Sequence, residues 1–172
     1  MQQVFWLREN LIAGRSGPNL NPWALEVFKA NGFAAILSVN DGEMVHESLI
    51  DRLGMGYACI PISANAPPRQ GDKELCLINI PKAISFITKN ASQGPVLVHC
   101  RSGKDRTGMV LAAYLIAIEG LSPRDAMDEV LKVRAIAFST DQWMEFGINV
   151  LTDFYNCKDL ELLKILHQNL GG

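Results

Sequence analysis

The chain has 172 residues, 48% hydrophobic and 20% charged, enough for one complete core and too few for two ordinary enzyme domains, so we expect a single domain over residues 1–172. Its 16 basic and 18 acidic residues leave a formal net charge of -2. That balance excludes a global basic field for nucleic acid or an anionic membrane, and any attraction for a phosphorylated substrate has to be local.

In chain order, residues 1–9 lack a basic segment followed by an apolar one, so no secretory leader is expected. Leu11-Ile12-Ala13-Gly14 reads as a short strand ending in a Gly/Pro-rich turn. Asn21-Pro22 has the form of a helix start, with Asn as N-cap and Pro in the first turn, and the helix carries Trp23, Leu25, Val27 and Phe28 up to Asn31-Gly32. Residues 33–39 are a continuous apolar strand closed by Asn40-Asp41-Gly42, residues 43–53 are helical, and residues 57–62 form the next strand. Residues 63–71, S-A-N-A-P-P-R-Q-G, form an irregular loop, since two prolines and a glycine leave little regular hydrogen bonding. Residues 72–89 are helical again, with Asp72 as a candidate N-cap and Pro81 as a kink.

The strand at residues 96–99 runs into a polar loop and then a helix over residues 107–119 that is apolar on nearly every face and so expected at the centre of the fold. Its ten-residue apolar run, residues 109–118, is well short of the ~18 needed to cross a bilayer. Ser122-Pro123-Arg124-Asp125 starts a helix that runs to about residue 134. Ser139-Thr140-Asp141-Gln142 has the form of a capping box for a last long helix, on which Trp143, Val150, Leu151, Phe154 and Tyr155 recur at helical spacing. Residues 157–172 read as a further short helix fraying at Gly171-Gly172. Strands alternating with helices predict an α/β fold, a mostly parallel central sheet with helices on both faces, and ligands of such sheets sit beyond the carboxyl ends of the strands.

Cys59, Cys76, Cys100 and Cys157 are widely spaced with no C-x-x-C pair, which reads as reduced thiols in a cytoplasmic protein. His46, His99 and His167 add no ligand cluster, so neither a metal nor another cofactor is expected.

The chemistry concentrates in residues 95–108, P-V-L-V-H-C-R-S-G-K-D-R-T-G. Strand, loop and helix follow without a spacer, so the amides from Arg101 to Arg106 can curl inward above a helix N-terminus and hold an anion over the thiol of Cys100. That setting favours a nucleophilic thiolate. Arg106 offers a planar guanidinium that grips two phosphate oxygens at once. Thr107 can donate to the sulfur, Gly103 allows an awkward backbone angle, and Gly108 lets the helix approach the sheet. His99 is placed to fix the surroundings of the cysteine, and Arg101 and Lys104 add local positive charge. A Walker loop is excluded because Val98 and Asp105 stand where it needs glycine and Ser/Thr. A nucleophile elbow is excluded by the spacing of Gly14-Arg15-Ser16-Gly17.

His99-Cys100-Arg101-Ser102-Gly103-Lys104-Asp105-Arg106-Thr107-Gly108 resembles the H-C-x-x-G-x-x-R-[ST]-G signature of the protein tyrosine phosphatase superfamily. It is most similar to the compact dual-specificity and lipid-directed branch, and the order of elements along the chain is similar as well. The resemblance implies a dual-specificity phosphatase-like fold. It also implies Cys100 as nucleophile, Arg106 as phosphate ligand, Thr107 as an aid to hydrolysis, and a phosphate held by the loop from Arg101 through Ser102, Gly103, Lys104 and Asp105.

The family places an aspartate acid near the position of Ala64 or Ala66, and this chain has no carboxylate there. Asp105, inside the loop, is the first choice to replace it, because related families ending in D-R-T use that aspartate. Asp72, on a loop that could close, and Asp41, at the end of a neighbouring strand, are the others; Thr140 and Gln142 are weaker candidates for placing the hydrolytic water. The expected function is hydrolysis of phosphomonoesters through a phosphocysteine, on phosphotyrosine and other phosphorylated protein side chains. The alternatives are an inositol phosphate or phosphoinositide phosphatase, and a catalytically weak phosphate-binding module. We expect a monomer, a phosphorylated protein or inositol phosphate as substrate, no nucleic acid partner and no membrane insertion.

Overall fold

β5 (Val96–Cys100) is buried along its whole length and is the strand around which the sheet is ordered. The computed structural model describes residues 3–63 and 65–170, with side chains as far as residue 157. β1 (Phe5–Arg8), β2 (Ile12–Ser16), β3 (Ala35–Ser38) and β4 (Gly56–Cys59) join β5 in one sheet of order β1-β2-β5-β3-β4. β2, β5, β3 and β4 are parallel, and β1 returns antiparallel along β2.

Alternation divides the core in two, because successive side chains of a strand point to opposite faces. Ile12, Ala35, Leu37, Val96 and Val98 pack beneath α3 (Asp72–Ala91), α4 (Asp105–Tyr114), α5 (Pro123–Val133) and α6 (Trp143–Leu170). Ala13, Ile36 and Leu97 face α1 (Leu25–Ala30) and α2 (Glu47–Arg52) through Leu25, Phe28 and Ile50. The mostly parallel α/β architecture with two covered faces is therefore the one that the order of elements predicts. α4 is buried from Thr107 through Tyr114 and continues into a π-helical turn, Leu115–Glu119, that ends at Gly120 with φ 71°.

Several boundaries differ from the sequence reading. β1 had no assignment there, although Leu7 enters the large core and Trp6 stacks on Phe33 of the other face, with centroids 5.4 Å apart. α1 starts at Leu25, not at Asn21, because residues 21–23 are tied to β2: Asn21 donates to Ser16 Oγ and Trp23 to the Ser16 carbonyl. α2 starts only at Glu47, after Met44 has turned the chain at φ 62°. Asp72 is not an N-cap; Gly71, at φ 90°, precedes the helix, and α3 runs on through the buried Pro81.

Ser122 caps α5 as predicted, accepting from the Asp125 amide. The capping box at 139–142 does not form, since the Thr140 hydroxyl is committed to Asp105 and Gln142 has φ 62°. Residues 143–170 are one helix, not two. Ala64 and the expected fraying at Gly171 and Gly172 lie outside the described residues.

Candidate active site

Four residues, Arg101, Ser102, Gly103 and Lys104, separate the end of β5 from the start of α4. Three of their carbonyls are held from behind. The Gly17 amide donates to the Arg101 carbonyl at 2.9 Å, Arg134 Nη2 to the Ser102 carbonyl at 2.9 Å, and Arg134 Nε to the Gly103 carbonyl at 3.1 Å. A trans peptide points its C=O and its N–H in opposite directions, so the amides of Ser102, Gly103 and Lys104 turn the other way, to the inner side of the loop, where Ser102 borders the cavity. None of the three donates to a protein acceptor among the described residues. Such a run of unpaired amides above a helix N-terminus has the form that suits an anion.

Gly103 is needed here on two counts. Its φ is 61°, and a Cβ on it would lie 2.5 Å from the Arg15 carbonyl group. Arg134 was not found by the sequence reading: it stands 31 and 32 residues from its partners, a distance at which no local spacing rule operates.

Beneath the loop is a cavity of about 180 Å³ lined by Cys100, Ser102, Arg106 and Asp105, with Ala66, Thr140 and Trp143 across from them. Cys100 is 2% exposed, and the fully buried Thr107 hydroxyl donates to its Sγ at 3.2 Å. No carboxylate pairs with Arg106 among the described residues. Arg101 also borders the cavity, whereas Lys104 turns its ammonium to 3.9 Å from Asp105. A larger cavity of about 330 Å³ beside Arg15, Asn21 and Phe28 contains no nucleophile.

The three acid candidates have different surroundings. Asp105 lines the cavity, and its two oxygens accept separately from the Thr140 amide and the Thr140 hydroxyl. Asp72 is buried elsewhere; burial opposes its charge, but the Arg69 amide and the Asn65 and Ser63 side chains outweigh that and hold its carboxyl below the usual range. Asp41 is an exposed turn residue accepting from the Glu43 amide. Neither Asp72 nor Asp41 borders the cavity. Of the two water-positioning candidates, Thr140 lies on the wall and Gln142 does not.

Residues 65–72 are fastened rather than free. Trp143 Nε1 donates to the Asn65 carbonyl at 3.0 Å, and the Asn65 amide group donates to Asp72, which seats Ala66 against the cavity. Below Cys100, a carbonyl can only accept, so His99 Nδ1 donates to the Cys100 carbonyl (3.2 Å) and Nε2 accepts from the Ser38 hydroxyl (2.6 Å). The Tyr57 hydroxyl then donates to Ser38 at 2.9 Å, and burial pushes that phenol up to about 12. Burial pushes His99 down to about 4, with the charge of Arg106 adding to the effect, in keeping with the neutral ring this chain of bonds requires.

A cysteine at the end of a central parallel strand, under a ring of amides that leads into a helix bearing an arginine in its first turn, defines the cysteine phosphatase class. The chain belongs to the family described as "Dual specificity phosphatase, catalytic domain", whose model matches residues 23–149. Phosphatidylglycerophosphatase and protein-tyrosine phosphatase 1 of Rattus norvegicus is 37% identical over 60 residues, 34% of this chain and 31% of that protein. Dual specificity protein phosphatase TpbA of Pseudomonas aeruginosa is 42% identical over 83 residues, 46% of this chain and 35% of that protein. The matched stretches therefore span about a third of these relatives' length. Among solved structures, Tk-PTP in its active form superposes with TM-score 0.66 at 25% identity over 88% of this chain and 97% of its own. PTPMT1 gives 0.68 at 18% identity over 98% and 99%. Among the described residues no helix is long and apolar enough to cross a membrane.

Proposed function

We propose that the protein hydrolyses phosphomonoesters through a phosphocysteine, with phosphorylated protein side chains, phosphotyrosine foremost, as substrates. The observation that carries this is the cavity itself: the Cys100 sulfur, bonded by Thr107, shares its walls with Arg106 and Asp105. Arg106 and the loop amides hold the phosphate oxygens, and the thiolate attacks phosphorus as the bond to the leaving oxygen breaks. Asp105 supplies the proton to that oxygen and then takes one from the attacking water. The P–S bond breaks, and the Thr107 hydroxyl stabilises the departing thiolate. Phosphate is released and Cys100 is regenerated.

A second reading is an inositol phosphate or phospholipid phosphate substrate. It is favoured by Arg101, exposed beside the cavity, and by a relative whose name joins phosphatidylglycerophosphatase to protein-tyrosine phosphatase. One panel separates the two: an aryl phosphate, phosphotyrosine and phosphothreonine peptides, and inositol phosphates, assayed without metal on wild type, Cys100→Ser and Asp105→Asn. Cys100→Ser abolishes turnover of every substrate, and turnover that survived it would sink the mechanism. Asp105→Asn loses the alkaline limb of the pH profile and about 10²- to 10⁴-fold in rate with an alkyl phosphate, and much less with the aryl ester, whose leaving group hardly needs the proton.

A further inference from the structure

Behind the phosphate loop, on the side away from the cavity, three groups are stacked. Phe5 of β1 is in register with Gly14 of β2, and a Cβ at Gly14 would fall 2.2 Å from the ring, so glycine gives that ring its seat. The Arg134 guanidinium lies over the same ring, 5.2 Å from its centroid. Its edge then makes the two bonds to the Ser102 and Gly103 carbonyls. No carboxylate pairs with Arg134 among the described residues, so its charge is shared between the aromatic face and the loop. A planar guanidinium can stack through its face and donate through its edge at once, which an ammonium cannot.

We propose that Phe5 and Arg134 are positioning residues for the phosphate loop: the ring sets the plane of the guanidinium, and the guanidinium turns two successive carbonyls outward so that the Gly103 and Lys104 amides face the cavity. The proposal rests on reading the cavity as a phosphate site. The third peptide, Arg101-Ser102, is held independently by Gly17, so loss of the stack loosens the cradle without emptying it. By this account β1, which does not border the cavity, helps to set anion affinity and the reactivity of the cysteine.

The test uses the full 172-residue chain as wild type, Arg134→Gln, Arg134→Lys, Phe5→Leu and Phe5→Tyr. Three quantities are measured: inorganic phosphate affinity by calorimetry, the pH profile of Cys100 alkylation by iodoacetate, and the thermal midpoint. Removing two hydrogen bonds to the loop weakens phosphate binding about tenfold or more in Arg134→Gln and moves the alkylation profile to higher pH; Arg134→Lys does not restore either. Phe5→Leu shifts both in the same direction, by about threefold in affinity, and Phe5→Tyr, which keeps the ring, behaves as wild type. Wild-type phosphate affinity and an unmoved alkylation profile in Arg134→Lys and Phe5→Leu overturn the proposal, and these milder variants decide the matter if Arg134→Gln does not fold. A wild type that binds phosphate but turns over no ester refutes the phosphatase reading and leaves the stack intact.

Discussion

In the phosphocysteine mechanism proposed above, the Thr107 hydroxyl would separate the two chemical steps. It is fully buried in the first turns of α4, and its hydrogen bond to the Cys100 sulfur has its greatest value when that sulfur carries full negative charge. In the first step the thiolate is consumed; in the second it leaves. A hydrogen bond to a charged group contributes about 1.5–3 kcal/mol, or roughly ten- to a hundredfold in rate. Thr107→Val is therefore expected to slow the second step by that factor while sparing the first, so that an aryl phosphate gives a burst of phenol followed by slow turnover. Rapid-quench kinetics check it, and a uniform slowing with no burst would show that the hydroxyl only fills space. Asp105 makes a complementary point: it was readable as the first-choice acid, but the hydroxyl that holds its carboxylate, that of Thr140, was legible only as part of a helix cap or as a weaker candidate for placing water, because 35 residues separate the two in the chain.

At the level of the element, the strand–loop–helix unit was legible because each piece carries its own local signal: a short apolar run, a glycine in a polar turn, then an apolar helix. What holds the loop in shape came from elsewhere. Arg15 lies in β2 and Gly17 just beyond its end, and Arg134 lies just past α5, so the outer side of the loop is assembled from two separate segments. Gly103→Ala tests how tightly they enclose it. The new methyl would meet the Arg15 backbone at 2.5 Å and would have to sit at φ 61°; a strained backbone of this sort costs of order 1–3 kcal/mol. The expected outcome is a lower thermal midpoint together with weakened inhibition by inorganic phosphate, measured side by side. A variant with wild-type inhibition would mean that the loop can shift away from β2 without disturbing its amides.

For the molecule as a whole, His99 couples the active site to global stability. It is 0% exposed, and burial holds it near 4 against an ordinary value of 6.5. Between those two values the unfolded chain binds a proton that the native state refuses. The contribution of the neutral ring is thus fully present above pH ~6.5 and is lost as the pH falls through 4. A displacement of this size corresponds to about 3 kcal/mol. Urea unfolding followed from pH 7 to pH 4 should show wild type losing stability more steeply than His99→Gln, which has no ring to protonate. Equal slopes would place the acid sensitivity in the carboxylates, Asp72 among them, whose depressed native state also acts in the acid range.

The sequence by itself determined the α/β class, the placement of Cys100 between strand and helix, and the phosphatase family, because all three are written in contiguous residues whose spacing and polarity act locally. Only the tertiary structure decided what faces what. It brought Asp105 to the cavity wall and left Asp72 and Asp41 away from it, and it built the back of the phosphate loop from Gly17 and Arg134. It also paired β1 with β2, and a strand of four residues with one half-buried face offers too short a pattern to be read alone. The physical reason is the same in each case. Hydrogen bonds and side-chain stacking act over a few ångströms and are indifferent to separation along the chain, so contacts between residues 31, 32 or 35 positions apart leave no periodic trace in the sequence.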